Sequence, residues 1–254
     1  MRFFKELAEK IRKRSSEYGY VCDGCGKEIF NYPTQRLCDG CMQTMRCNDG
    51  LKCGKCGRKT VADGVCLDCK SRLPKFTQGI SPFVYRGETA AFVNRIKNGK
   101  RRLAHFFGES MAAAALRSES LQTAKENNAH VWVLPVPMTE KALKTRGYNQ
   151  AQDLAEIVCE ALRKAGINAE TDADILQKHK ETAQQKHLNY AGRAENVAGA
   201  YHVHKRAVCK EEIIVLVDDI MTTGATGSEI AARLFGAGAK EVIFLVAAAL
   251  PEHK

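Results

Sequence analysis

The stretch "IIVLVDDIMTTGATGSEIAARLFGAG", Ile213–Gly238, carries an apolar run into two acids and then a Thr/Gly-rich turn. Ile213 to Val217 is apolar without a break, as a central parallel strand buried on both faces must be. Asp218 and Asp219 are expected where the chain leaves the sheet, and "MTTGAT" then leads into a helix predicted over Ala225 to Phe235. A helix N-terminus offers unpaired N–H groups and the positive end of a dipole, so a phosphate fits there. Thr222, Thr223 and Thr226 add hydroxyl donors, and Gly224 lets the backbone approach closely. Carboxylates would repel a bare phosphate, but they accept hydrogen bonds from the vicinal hydroxyls of a sugar or bind Mg²⁺. A ribose bearing a 5′-phosphate satisfies both halves. A Walker-B-type ATPase site is a weak rival, because no G-x-x-x-x-G-K-[ST] occurs in the chain. The plainer alternative is a threonine N-cap with solvated acids, which needs neither the second acid nor the second threonine.

Outward from this stretch, strands alternate with helices from about Pro74 onward. "GISPFVYRG" is predicted as a strand, "ETAAFVNRIKNGK" and "LAHFFGESMAAAALRSESL" as helices, and "AHVWVLPVP" as a buried strand stopped by Pro135 and Pro137. A helix over Gln150 to Lys164, a strand near Asp174 to Gln177 and a last strand from Glu241 to Ala247 complete the pattern. Such alternation implies an α/β fold whose largely parallel sheet presents ligand chemistry at the carboxyl ends of its strands.

Before Pro74 the composition is different. Eight of the 11 cysteines form four C-x-x-C pairs, Cys22/Cys25, Cys38/Cys41, Cys53/Cys56 and Cys66/Cys69. Two C-x-x-C turns can complete one tetrahedral Zn²⁺ site, so the eight thiols suffice for two structural sites. Glycine follows the second cysteine at Gly26 and Gly57, whereas Met42 and Lys70 stand at the other two turns, a weak repeat that favours pairing of adjacent turns. An interleaved pairing also fits the spacing. A segment of this length with few large apolar residues needs such staples to fold. Cys47, Cys159 and Cys209 lie outside the pairs and are expected to be small apolar residues.

The expected organisation is therefore a basic amphipathic helix over 1–19, a double zinc ribbon over 20–73 and an α/β domain over 74–254. No export signal or ~20-residue apolar span is present, which places the protein in the cytoplasm and argues against disulfides. The formal charge of +10 would suit a polyanionic partner, but eight thiolates and two divalent ions together carry −4 and reduce it to +6. Arg36, Arg46, Lys52, Lys55, Arg58, Lys59, Lys70 and Arg72 surround the cysteines, where they either offset thiolate charge or form a nucleic-acid surface.

The Ile213–Gly238 stretch resembles the phosphoribosyl-diphosphate (PRPP) signature of type I phosphoribosyltransferases. With "LPVP", "RGYNQAQDLAE", "LQKHKETAQQKHLNYAGRAENVAGAY" and "FVYRG…IKNGKRRLA" behind paired C-x-x-C units, nearly the whole chain resembles the ComF family of competence-associated proteins. The resemblance implies a double zinc ribbon ahead of a type I phosphoribosyltransferase-like domain. It assigns Asp218 and Asp219 to the ribose hydroxyls, Thr222, Thr223, Gly224, Ala225 and Thr226 to the 5′-phosphate, Met221 to the same PRPP site, and Val136 and Pro137 to the pyrophosphate, with Arg146 and Asn149 nearby; Asp218, Asp219 and Arg146 are the catalytic candidates. "KHKETAQQKHL" occupies the interval of a closing loop, with Lys178, Lys180 and Gln185 as candidates; Arg193 and Asn196 match family positions of unassigned role. The implied cofactor is Mg²⁺ with PRPP, and the implied partners are a nitrogen acceptor and single-stranded DNA or a competence helicase. The sequence departs from the family after Pro137, where "MTEKALK" lacks the His and Arg often found there. Phe83, Tyr85 and Tyr148 are candidates to stack a base or to pack, and no motif identifies the acceptor or an oligomeric state.

Overall fold

The computed structural model describes residues 21–180 and 197–252; the expected helix over 1–19 lies outside them, as do Gln185, Arg193 and Asn196. The chain divides into two compact units, one ending at Met45 and the other beginning at Arg46. This division falls between the two cysteine sets rather than after both.

In the first unit, the turn Cys22–Gly26 is closed by a bridge between Val21 and Glu28, and Gly26 takes the left-handed conformation the turn requires (φ 79°). Helix α1, Asp39–Thr44, starts directly after Cys38.

The second unit repeats the device. A bridge between Lys52 and Lys59 closes the turn Cys53–Gly57, and α2, Leu67–Ser71, starts directly after Cys66. There follow β1 (Gln78–Ile80), β2 (Phe83–Val84), α3 (Gly87–Lys97), α4 (Arg102–Ala115), α5 (Glu119–Glu126), β3 (His130–Pro135), α6 (Glu140–Arg146), α7 (Gln150–Lys164), β4 (Asn168–Glu170), β5 (Leu176–Lys178), β6 (Tyr201–Val203), β7 (Ile213–Met221), α8 (Ala225–Gly236) and β8 (Glu241–Ala249). The main sheet has the order β1-β8-β7-β3-β4, with β2 also on β8, and every pairing in it is parallel.

Ile214 and Leu216 of β7 join Val242, Phe244 and Val246 of β8 and Ile230, Ala231 and Leu234 of α8 in one buried cluster. Val215 and Val217, also fully buried, alternate to the opposite face, and α7 packs on β7 and β3 as well as on α4. The central strands are thus covered on both sides, which is why their sequences are continuously apolar.

Several expectations change in detail. The predicted strand "GISPFVYRG" is two short strands broken at Ser81 and Pro82, since proline has no N–H for the ladder. The predicted long helix divides into α4 and α5, because the Ser118 hydroxyl accepts from the Leu121 N–H and caps a new helix. The strand near Asp174 is β5, which pairs antiparallel with β6 outside the main sheet. Most consequential, β7 does not end at Val217. It continues through Asp218 and Asp219 to Met221, paired with β8 as far as Ala249.

Candidate functional site

The longer β7 creates the site. Its pairing with β3 stops at Pro135↔Val217, whereas its pairing with β8 continues, so Asp218 and Asp219 project past the end of β3. From β3 the chain passes through α7 to β4 on one side, and from β7 through α8 to β8 on the other. The crevice between β3 and β7 is therefore a topological switch point, where open α/β sheets bind ligands.

On the β3 side, the Val136 N–H donates to the Val217 carbonyl (2.8 Å). Asn149 caps α7 by accepting from the Ala151 N–H (3.1 Å), and its Nδ2 donates to the Val136 carbonyl (3.1 Å). Asn149 thus shapes the turn at Val136 and Pro137 from behind. The "MTEKALK" departure also has a local cause: Thr139 is the N-cap of α6, accepting from the Ala142 N–H (3.2 Å), and Glu140 lies in its first turn, where a negative charge is favourable.

Asp219 is 4 % exposed and engaged by two groups that the sequence reading did not single out. Lys97, at the end of α3, places Nζ 3.1 Å from its Oδ2, and the Gln150 amide donates to the same oxygen (3.2 Å). Gln150 in turn accepts from Arg146 Nη1 (2.5 Å). Tyr148 fixes the approach of α3 by donating to the Ile96 carbonyl and accepting from the Gly99 N–H (2.9 Å), while Arg101 lies over its ring. Tyr148 is therefore occupied as a packing residue. Phe83 is buried against Phe106 and Phe107 and is not free to stack a base, whereas Tyr85 is half-buried with its hydroxyl donating to Asn94 Oδ1 (3.1 Å).

Asp218 is partly buried, and its Oδ1 accepts from the Asp219 N–H (2.8 Å). Desolvation and then the Asp219 charge push its carboxyl up to about 8 from 3.8. Its other neighbour is Tyr201 of β6, whose phenol is driven up by burial and by Asp218 and which bonds the Thr226 side chain. Lys178, opposite Tyr201 in the β5–β6 pair, lies over the same ring at 5.4 Å. Lys178 is thus brought beside the acid–threonine site; Lys180 is exposed just beyond β5.

The intervening loop is built for close approach. Gly224 has φ 77°, which an L side chain rarely adopts, and a Cβ there would meet Met221 and Phe76 at 3.6 Å. The Thr223 hydroxyl accepts from the Ala225 N–H (3.3 Å), and Thr222, Thr223, Ala225 and Thr226 remain partly exposed. The bonds to Asp219 and the polarity around Asp218 leave acceptors for hydroxyls or a hard cation, and the first turn of α8 supplies amides for an anion.

Both cysteine sets close on themselves. Cys22, Cys25, Cys38 and Cys41 bring their sulfurs within 4.8 Å of one another, and so do Cys53, Cys56, Cys66 and Cys69; adjacent turns pair. Backbone donors point at sulfur as the glycine turns require: Cys38 N–H to Cys22 Sγ (3.2 Å), and Cys56 and Cys66 N–H to Cys53 Sγ (3.4 and 3.3 Å). Each four-thiol set fits a structural Zn²⁺ site. The Cys69 thiol, with Arg58 behind it, holds Cys56 well below the usual thiol range, while burial pushes Cys66 up and the hydrogen bond to Cys56 pushes Cys69 up, so one negative charge rests on Cys56. Arg58 offsets thiolate charge directly, whereas Lys59 pairs with Asp49 and Arg36 with Asp23. Of the unpaired cysteines, Cys159 and Cys209 are buried as expected, but Cys47 is exposed beside a bridge to Phe83.

The fold and its crevice define an α/β protein with a mostly parallel sheet and two Cys₄ sets able to hold zinc. No family model matches the chain. Among curated proteins it is similar to competence protein F of Haemophilus influenzae, 25 % identical over 87 % of each chain. It is also similar to the DNA utilization protein YhgH of Escherichia coli K12, 24 % identical over 81 % of this chain and 87 % of that one, and to the competence protein ComFC of Bacillus subtilis, 24 % identical over 76 % and 75 %. The chain thus resembles the ComF-type competence proteins over about four-fifths of its length. Among the described residues no helix is long and apolar enough to cross a membrane.

Proposed function

We propose that this protein binds PRPP with Mg²⁺ at the β3–β7 crevice and transfers its phosphoribosyl group to a nitrogen acceptor with release of pyrophosphate. The observation that carries this reading is the meeting of Asp218 and Asp219, projecting past the end of β3, with the Thr222–Thr226 loop that opens α8. The acids accept from the ribose hydroxyls, and the loop amides with the Thr222, Thr223 and Thr226 hydroxyls hold the 5′-phosphate. The bond from C1′ to the pyrophosphate oxygen breaks and one to the acceptor nitrogen forms, through a state with positive charge on the sugar. Asp218 and Asp219 would hold a Mg²⁺ that enters with the substrate, and the ion would supply charge neutralisation for the departing pyrophosphate. Lys97 and Arg146 would take the part of the His and Arg that "MTEKALK" lacks, and Lys178 approaches from the β5–β6 arm.

The names of the relatives support a place in competence or DNA utilization; a single-stranded DNA or helicase partner meeting the zinc ribbons is a second reading, motivated by the basic residues around the cysteines. Pyrophosphate release from PRPP across a panel of nucleobases and amines tests turnover. Binding of PRPP without release by any acceptor would support a sensor in place of a transferase. For the DNA arm, affinity for single-stranded oligonucleotides should fall steeply with salt.

A further inference from the structure

Arg58 is the largest side chain among the fully buried residues, at 1 % exposure, and it is not explained by a core role. Each arm of its guanidinium has a separate partner. Nε donates to Cys56 Sγ (3.3 Å), Nη1 to Asp68 Oδ2 (2.5 Å) and Nη2 to the Thr222 carbonyl (2.8 Å). One planar group thus bridges a cysteine ligand, the helix behind the cysteines and the first residue of the phosphate loop. Lysine could not do this, because three fixed directions need the rigid fork of arginine.

The contact with Thr222 has a geometric consequence. In a trans peptide the carbonyl oxygen and the following N–H point in opposite directions in one plane. Holding the Thr222 oxygen toward Arg58 therefore turns the Thr223 N–H away from the cysteines, toward the loop's other side. Asp68 and Cys56 keep the guanidinium from rotating, so the peptide plane is fixed before any ligand arrives.

The mounting of the cysteine turn leaves little slack. A Cβ on Gly57 would lie 2.1 Å from the Gly79 oxygen, and one on Gly79 would lie 2.4 Å from the Cys56 oxygen, so turn and β1 touch backbone to backbone. The Gly79 N–H donates to the Lys55 carbonyl (2.8 Å), and Glu252 accepts from the Leu67 N–H (2.6 Å) while donating its own N–H to the Lys59 carbonyl (3.0 Å). Displacement of Cys56 is transmitted to Arg58 instead of being absorbed in a hinge.

We propose that Arg58 is a positioning residue that couples the second four-cysteine site to the phosphate loop, so that metal held by Cys53, Cys56, Cys66 and Cys69 and ligand held by Thr222–Thr226 stabilise each other. This rests on the phosphoribosyl reading for the ligand's identity but not for the coupling. Coupling of this kind is reciprocal: metal raises ligand affinity by the factor by which ligand raises metal affinity. The basic residue that donates to Cys56 is thereby assigned to the phosphate loop rather than to a DNA surface.

The test uses the zinc-loaded protein and Arg58→Met, with Asp68→Asn as a second variant at a partly exposed position should the first fail to fold. Zinc content, amide exchange of the 222–226 segment without ligand, and PRPP–Mg²⁺ affinity are measured together. We expect two zinc ions retained, faster exchange confined to that segment, and about a tenfold loss of PRPP affinity, the scale of one charge-assisted hydrogen bond. PRPP should also slow removal of one of the two zinc ions by a chelator in the parent but not in Arg58→Met. Unchanged loop exchange in both variants would overturn the proposal. Should the parent fail to bind PRPP while its loop exchange still responds to Arg58, the phosphoribosyl reading falls and the coupling stands.

Discussion

Replacing Asp218 by asparagine should make the ligand-free protein more stable while removing its ligand response. In the folded protein the Asp218 carboxyl is raised to about 8, against 3.8 for the ordinary group. A raised carboxyl is neutral in the fold at pH values where the unfolded chain has already ionised. Stability is therefore fully present below about pH 4, falls as pH climbs through the window between the two values, and levels off above about pH 8. At pH 7 the interval of about three units corresponds to roughly 4 kcal/mol as an upper bound, and because Asp218 keeps some contact with solvent we expect about half of that, ~2 kcal/mol. Asparagine keeps an oxygen to accept from the Asp219 N–H and cannot ionise. Its melting temperature should exceed the parent's by about 4–8 °C at pH 8 for a chain of this length, and the difference should vanish near pH 4. Differential scanning calorimetry of both proteins across this range measures it. A variant that melts below the parent at pH 8, or an offset independent of pH, would refute the reasoning.

Because hydroxyl donors and Mg²⁺ both prefer the carboxylate, PRPP–Mg²⁺ affinity should rise between pH 6 and pH 8 with release of a proton, measurable as a buffer-dependent heat. Lys97→Met leaves Asp219 with Gln150 as its remaining partner from this group, and should cost about 1–2 kcal/mol at pH 7 by urea denaturation. Gly57→Ala must displace backbone 2.1 Å from the new Cβ at a positive φ, and should cost ~3 kcal/mol or lower the soluble yield, whereas Gly64→Ala, with nothing within 4 Å, should affect the backbone strain alone. Metal analysis should give two zinc ions per chain, and stripping them should expose the eight paired cysteines to a thiol reagent; fewer than two would remove one Cys₄ assignment.

Much of the site was readable because its signals are local. The β7–loop–α8 unit and the C-x-x-C turns lie in short continuous stretches, so neighbouring residues in sequence are neighbours in space. Helix α7 was legible over Gln150 to Lys164, the bounds it has, whereas its Asn149 cap is seen only in the structure. The extension of β7 through Met221 was not, since aspartate disfavours strands and only the unpaired edge beyond Pro135 tolerates it. Lys97 and Gln150 reach Asp219 through tertiary packing that leaves no mark in spacing, and Arg58 lies 164 residues from Thr222 in sequence. In a run of basic residues around cysteines, nothing local separates the fully buried Arg58 from exposed neighbours such as Lys52, Lys59 and Lys70.

Direct titration of the zinc-loaded protein with PRPP in Mg²⁺ at pH 8 probes the acid pair and the loop together. The account predicts saturable binding to one site per chain that is lost when Asp218 and Asp219 are both replaced by asparagine. Absence of binding by the parent, or retention of it by the double variant, would contradict the assignment of this crevice to a phosphorylated ribose.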